Sequence, residues 1–187
     1  MKVSLYDFDK TIYSGDSSID FYVFCLKRHI GIVKVLPKQI AYALKYKLKK
    51  CSKEEFKSVF FSFLQKINDP EIEVSMFWER SYKKIKDYFL NDTEEEKVII
   101  SASPEFLLKP ICKKLNIKYL IASNVDIKTG IFIDKNCFGE EKVRKFNETL
   151  KNCEVINSYS DSLSDLPMLN LAQNKFLVKK NKIINIY

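Results

Sequence analysis

The sequence predicts an α/β fold, a parallel sheet flanked by helices, with a helical segment inserted after the first strand. Three observations predict it. Short apolar runs alternate with amphipathic stretches across residues 98–178, the pattern of strand–helix–strand units. Residues 3–8 form an apolar run of the kind a buried strand needs. Between the two, residues 15–90 carry helical periodicity and 14 aromatics in 76 positions, against 11 in the other 111, enough for a small core of their own.

The elements follow in order. Val33, Leu36, Ile40, Leu44 and Leu48 recur at helical spacing, and Pro37 must begin a helix there or kink it. Residues 54–66 and 71–90 read as two further helices. A strand at 98–100 leads to a helix at 104–115, with Ser103 as its cap and Pro104 at its first position. Strands at 119–121, 155–156 and 176–178 alternate with helices at 141–150 and 163–171. Thr129-Gly130 supplies turn chemistry for a small hairpin within 125–133. The expected organisation is therefore a core of residues 1–14 and 91–187, with residues 15–90 as a helical insertion.

Composition bounds the chain. A length of 187 residues, 46% hydrophobic and 30% charged, with four Gly and five Pro, is one globular domain or one with a modest insertion, and excludes a disordered or collagen-like chain. No apolar run approaches the roughly 18 residues of a membrane span, and the opening residues read as a strand rather than a leader. Five scattered cysteines without a CxxC pair argue against a disulfide framework or zinc site and favour a reducing cytoplasm. The net charge is +8, yet residues 21–53 hold nine basic residues and no acidic one. The rest holds 23 basic and 24 acidic residues, so the excess sits in one segment and points to an anionic partner.

Four groups of residues carry chemistry. Asp7 and Asp9 stand at the end of the first strand, where open α/β sheets bind ligands, and side chains two apart on a strand share a face. Two carboxylates so close are costly without a cation between them or a shared proton, and magnesium, which prefers such oxygens, is the obvious remedy. Ser101-Ala102-Ser103-Pro104 ends the second strand at a helix start, a natural phosphate site. Lys142 follows Gly139. Asp161 and Asp165 follow the 155–156 strand. Solvated acids, a helix cap or a solvated lysine would explain each group separately, and Lys142 draws notice only beside the others; their occurrence together, each where the strand pattern places the sheet's carboxyl edge, weighs against those readings.

The ordered set DxDxT, strand-end Ser, GEEK and DSxxD resembles the haloacid dehalogenase (HAD) superfamily over nearly the whole chain. The helical insertion resembles that family's type 1 cap, and the motifs are most similar to subfamily IB. The resemblance implies a magnesium-dependent phosphomonoesterase. Asp7 would be the nucleophile that forms an aspartyl-phosphate, and Asp9 the general acid and base. Magnesium would be held by Asp7, the Asp9 carbonyl and Asp161, with Asp165 in support. Ser101, the Ala102 amide and Lys142 would grip phosphate oxygens, and Thr11 would brace the loop. Lys10 stands where many relatives carry glycine, so a different local turn is expected.

The substrate is less legible. The subfamily includes phosphoserine, histidinol-phosphate and phosphatidylglycerophosphate phosphatases. Asp16 has the spacing of a substrate-reading acid, but Ser162 and Ser164 depart from the phosphoserine pattern. The substrate expected is a small phosphomonoester or a lipid phosphate. Lys38, Tyr42, Lys45, Tyr46 and Lys49 flank the Ile40–Leu44–Leu48 stripe, and such a face could make peripheral contact with an anionic membrane. Packing of that helix on its neighbours, with its lysines solvated, is the favoured reading. No nucleic-acid-reading motif is present. A phosphotransferase or mutase, or a non-catalytic anion-binding or membrane-peripheral module, are the competing functions.

Overall fold

The computed structural model describes residues 1–93, 96–180 and 182–186. β1 (Lys2–Tyr6) is central because Val3 to Tyr6 are buried without a break, so both its faces must be covered. Around it lie β2 (Glu96–Pro104), β3 (Tyr119–Ser123), β4 (Glu154–Ser160), β5 (Asn174–Lys179) and β6 (Lys182–Ile186), in the order β3-β2-β1-β4-β5-β6. The first five strands pair in parallel and β6 closes the edge antiparallel to β5. The chain runs outward from β1 through β2 to β3, then crosses to the other side of β1 to form β4. The reversal lies between β1 and β4, the point where doubly wound sheets open a crevice at their carboxyl edge.

Alternation along the strands divides the interior. Val3, Leu5, Val98 and Ile100 join Phe146 of α7 (Glu140–Thr149) and Met168 of α8 (Leu166–Leu169) in one apolar cluster. Tyr6 and Ile99 belong to a second cluster with Leu107, Leu108 and Ile111 of α6 (Glu105–Lys114).

That second cluster also absorbs the segment between β1 and β2. It comprises α1 (Ser17–Arg28), α2 (Leu36–Lys47), α3 (Lys53–Phe61), α4 (Pro70–Ser81) and α5 (Asp87–Asn91), with 3-10 turns between several of them. Phe21, Phe61, Phe63, Phe77 and Trp78 are buried in one cluster with Tyr6 and Phe8, and the Trp78 indole donates to the Leu107 carbonyl at 2.6 Å. The aromatics therefore do not make a separate small core; they continue the sheet's own.

Several expectations need correction. The 71–90 stretch is broken by a 3-10 turn at Tyr82–Lys84 and by extended Ile85, which bridges Tyr13. Pro104, not Ser103, is the cap of α6, because β2 runs on in extended geometry to that residue. The 163–171 helix shortens to a 3-10 turn and α8. The hairpin reduces to a single Val125–Phe132 bridge around a turn tied by Asp126, whose carboxylate accepts from Thr129. Most of the apolar positions of α2 face outward: Ile40 and Leu44 are exposed, as are the flanking Val33 and Leu48. Pro37 does begin that helix.

Gly130 joins the two parts of the chain. Its φ is +77°, and a Cβ there would lie 2.3 Å from the Phe61 carbonyl oxygen. Gly130→Ala combines left-handed strain with a backbone clash and should destabilise the fold by about 2 kcal/mol or more, measurable as a lower urea midpoint.

Candidate active site

Main-chain pairing fixes the first aspartate. The Asp7 amide donates to the Tyr159 carbonyl at 2.9 Å, continuing the β1–β4 ladder past Tyr6 and bringing the ends of both strands together. The chain then turns sharply: Phe8 accepts from the amides of Ile12 and Tyr13, and Lys10 takes φ 60°. Lys10 thus adopts the left-handed conformation that glycine favours.

Asp7 is buried and bonded through both oxygens. Oδ1 accepts from Lys142 Nζ at 2.7 Å and Oδ2 from the Thr11 hydroxyl at 3.0 Å. The same ammonium donates to Asp165 Oδ2 at 2.8 Å, and Ser160 also donates to that oxygen at 2.8 Å. Burial disfavours the Lys142 charge, but attraction to Asp7 and Asp165 outweighs it and holds the ammonium protonated. Burial raises the Asp7 pKa; Lys142 pulls it back, and Asp165 and Asp161 push it up again. Asp161, half-buried, is raised mainly by burial and further by Asp165, against Lys10.

Asp9 sits beside this chain of charges in different company. Its Oδ1 accepts from the Ser17 amide at 2.7 Å and its Oδ2 from the Ser103 hydroxyl at 2.5 Å. Ser18 shares a 3.0 Å hydrogen bond with Ser103. Burial, then the nearby Asp16 charge, push the Asp9 carboxyl up to about 7, with the Ser103 and Ser17 bonds holding it down. Among the described residues neither oxygen pairs with a cation, so Asp7 and Asp9 occupy distinct electrostatic environments two residues apart. Ser103→Ala removes the short bond that aims Asp9 and holds its pKa down, so the Asp9 carboxyl should titrate higher in the variant, a shift that NMR titration resolves.

A cleft of about 480 Å³ opens over these groups. It is lined by Asp7, Asp9, Ser101, Ala102, Lys142, Asp161 and Asp165, and also by Asp16, whose Oδ1 caps α1 through the Ile19 amide. Thr11 lies beneath it, fully buried. The catalytic, phosphate-binding and metal-ligand candidates named from the sequence, with Asp16, thus line or underlie one cleft.

The opposite wall comes from the helical segment: Tyr46, named above only as a flank of the apolar stripe, and Lys53, Phe56, Lys57 and Phe60, which were not singled out beforehand. Lys57 Nζ donates to the Ala102 carbonyl at 2.6 Å and to Asn136 Oδ1 at 2.7 Å, and burial, reinforced by Lys53, lowers its pKa to about 8. Among 32 basic residues, only position in space distinguishes these two lysines.

The carboxylates present suit a hard cation. Asp7 and Asp165 share one buried ammonium, Asp161 stands half-buried in the same cleft, and among the described residues Asp165 Oδ1 is buried without a hydrogen-bond partner. Among the described residues no three acidic, histidine or cysteine side chains close round a single point. Magnesium does not require that, since one or two carboxylates with main-chain, water and phosphate oxygens hold it.

A doubly wound sheet with an aspartate–lysine–aspartate chain and a separate second aspartate at its carboxyl edge defines an α/β enzyme whose site is built on carboxylates. The chain matches the model of the haloacid dehalogenase-like hydrolases over residues 5–170 and belongs to that family. It is 29% identical over 96 residues to a histidinol-phosphatase of Neisseria meningitidis serogroup C (strain 8013), a match covering 45% of this chain and 43% of that protein. The chain therefore spans less than half the length of that curated relative. A protein of unknown function from Bordetella pertussis Tohama I shares the fold with a TM-score of 0.77 at 17% identity, over 93% of this chain and 88% of that one. A structure described as a phospho-aspartyl intermediate analogue of phosphoserine phosphatase has a TM-score of 0.55 at 17% identity, covering 93% and 84%. The histidinol-phosphatase name falls within the subfamily that the motifs resemble, and the two structures share the fold.

Proposed function

We propose that this protein is a magnesium-dependent phosphomonoesterase that works through an aspartyl-phosphate on Asp7. The observation that carries the reading is the division of labour between two aspartates in one cleft. Asp7 is bonded to a buried lysine, and Asp9 is uncharged for part of the time near neutrality.

In the first half-reaction an Asp7 carboxylate oxygen attacks phosphorus. The bond from phosphorus to the ester oxygen breaks, and Asp9 gives its proton to the departing alkoxide. In the second, Asp9, now a carboxylate, takes a proton from water as that water attacks phosphorus. The bond to Asp7 breaks, phosphate leaves, and both aspartates are restored. A pKa of about 7 suits a group that must give and then take a proton. Lys142, Ser101 and the Ala102 amide would hold the equatorial oxygens, where charge accumulates. Magnesium would be held by the Asp7 and Asp161 carboxylates and the Asp9 carbonyl, with Asp165 in support. When bound, it supplies charge neutralisation for the phosphoryl group.

Residues 15–90 serve in this reading as the cap. Their aromatic and lysine wall faces the catalytic edge, and closure would exclude bulk water from the acyl phosphate. Asp16, Lys53 and Lys57 lie where a leaving group would be read, which favours a small ester bearing further charged groups. A lipid phosphate, with peripheral membrane contact through the basic segment, is the second substrate class. A phosphotransferase would use the same first step with an organic acceptor in place of water.

Phosphate release from p-nitrophenyl phosphate, followed with magnesium and with EDTA, tests the reading. Release should fall by about 100-fold or more with EDTA and return on adding magnesium. Equal release under both conditions would remove the metal from the account. Phosphorylation of added alcohols at the expense of free phosphate would identify a transferase.

A further inference from the structure

Helix α2 is oriented the wrong way round for a packed helix. A surface helix ordinarily turns its apolar stripe inward and its polar face to water. Here the inward face is polar and aromatic. Gln39 is only 8% exposed; its Oε1 accepts from the Tyr22 hydroxyl and its Nε2 donates to the Phe60 carbonyl, both at 2.8 Å. Tyr46, two turns on, stacks on Phe56 with ring centroids 5.1 Å apart. The outward face carries Ile40, Leu44 and, just past the helix end, Leu48, at 60%, 57% and 64% exposure. These positions are four apart and lie along one side of the helix.

Charge surrounds the stripe on one sign only. Lys34, Lys38, Lys45, Lys47, Lys49 and Lys50 are all exposed, and no acid occurs in residues 21–53. On the helix, Lys38 and Lys45 fall on one flank and Lys47 borders the stripe, where its stem can lie along apolar surface and its ammonium reach outward; Lys49 and Lys50 follow just past the helix end, Lys49 at φ 55°.

We infer that this face of α2 is a docking surface for an anionic lipid bilayer, with Ile40, Leu44 and Leu48 entering the acyl boundary and the flanking lysines meeting head groups. An exposed apolar stripe bordered by lysines is the composition of an interfacial helix. A second copy of this chain fits poorly, because a two-fold contact would set the same lysines against one another. The docking stands apart from the catalytic reading; only its use, to bring a lipid phosphate to a cleft that Tyr46 of the same helix lines, rests on that reading.

Sedimentation of the full chain with vesicles is the test, using phosphatidylcholine alone and phosphatidylcholine mixed with phosphatidylglycerol. The chain should bind the mixed vesicles at least about tenfold better than the neutral ones, and raised salt should release it. Leu44→Asp with Leu48→Asp, at positions already in water, should cut the bound fraction by about tenfold. Lys45→Glu with Lys49→Glu should do the same. Both pairs should keep the wild-type rate with p-nitrophenyl phosphate, so failure of docking and failure of the phosphatase reading are told apart. No binding, equal binding to both vesicles, or binding that neither pair alters would overturn the inference. So would a dimer, seen by light scattering, that the aspartate pair dissolves, since it would assign the face to a second copy.

Discussion

Asp7→Asn should abolish turnover, by at least about 10⁴-fold or some 5 kcal/mol of barrier, while the chain stays folded. The amide cannot form the acyl phosphate, and no other carboxylate takes its place. Asp165 lies across Lys142, and Asp9 is held by Ser17 and Ser103. The fold should tolerate the change because the amide oxygen can still accept from Lys142, and because burial already works against the Asp7 charge. Near-normal turnover would place the nucleophile elsewhere. Asp9→Asn should differ in kind, slowing esters with poor leaving groups most, since those need the proton.

Lys142→Met should destroy both activity and much of the stability. Its ammonium, almost fully buried, is the shared partner of Asp7 and Asp165, and removing one member of a buried ion network costs about 3–5 kcal/mol. The loss should depend on pH in a definite direction. The Asp7 pKa already lies above the ordinary value in the folded chain and would rise further without Lys142. A carboxyl with a raised folded-state pKa binds more protons folded than unfolded, so its penalty is absent in acid and grows as pH rises through the ordinary carboxylate range. Urea midpoints at acid and neutral pH should therefore differ more for the variant than for the wild type. Adding Asp165→Asn should recover part of the stability and none of the activity. Full stability in the single variant would contradict the electrostatic account of the site.

What the sequence disclosed and what it withheld follow from the range of the forces concerned. The strands, the place of the helical segment and the acids at the sheet edge are local patterns: β1 reads as buried because Val3 to Tyr6 are small or apolar, and Asp7 follows it directly. Lys142 carried no local mark. Its role comes from a 135-residue separation closed by the sheet's topology. Ser103 was misjudged because its neighbour Pro104 resembles a helix start, whereas its hydroxyl is taken by Asp9. Lys57 looked like one more solvated lysine and instead reaches the Ala102 carbonyl. The α2 stripe was read as core because apolar periodicity ordinarily means burial. Nothing in a periodicity tells which way the helix is turned, and Gln39, the residue that turns it, is a single polar position on the other face.

The central claim, a covalent phosphoryl group on Asp7, is tested most directly by acid quenching during turnover with magnesium, followed by borohydride reduction and peptide mass spectrometry. The account predicts homoserine at position 7, the reduction product of an aspartyl-phosphate, and none in a reaction without substrate. An unmodified Asp7 beside a reduced aspartate elsewhere, or no reduced residue while phosphate is released, would contradict it.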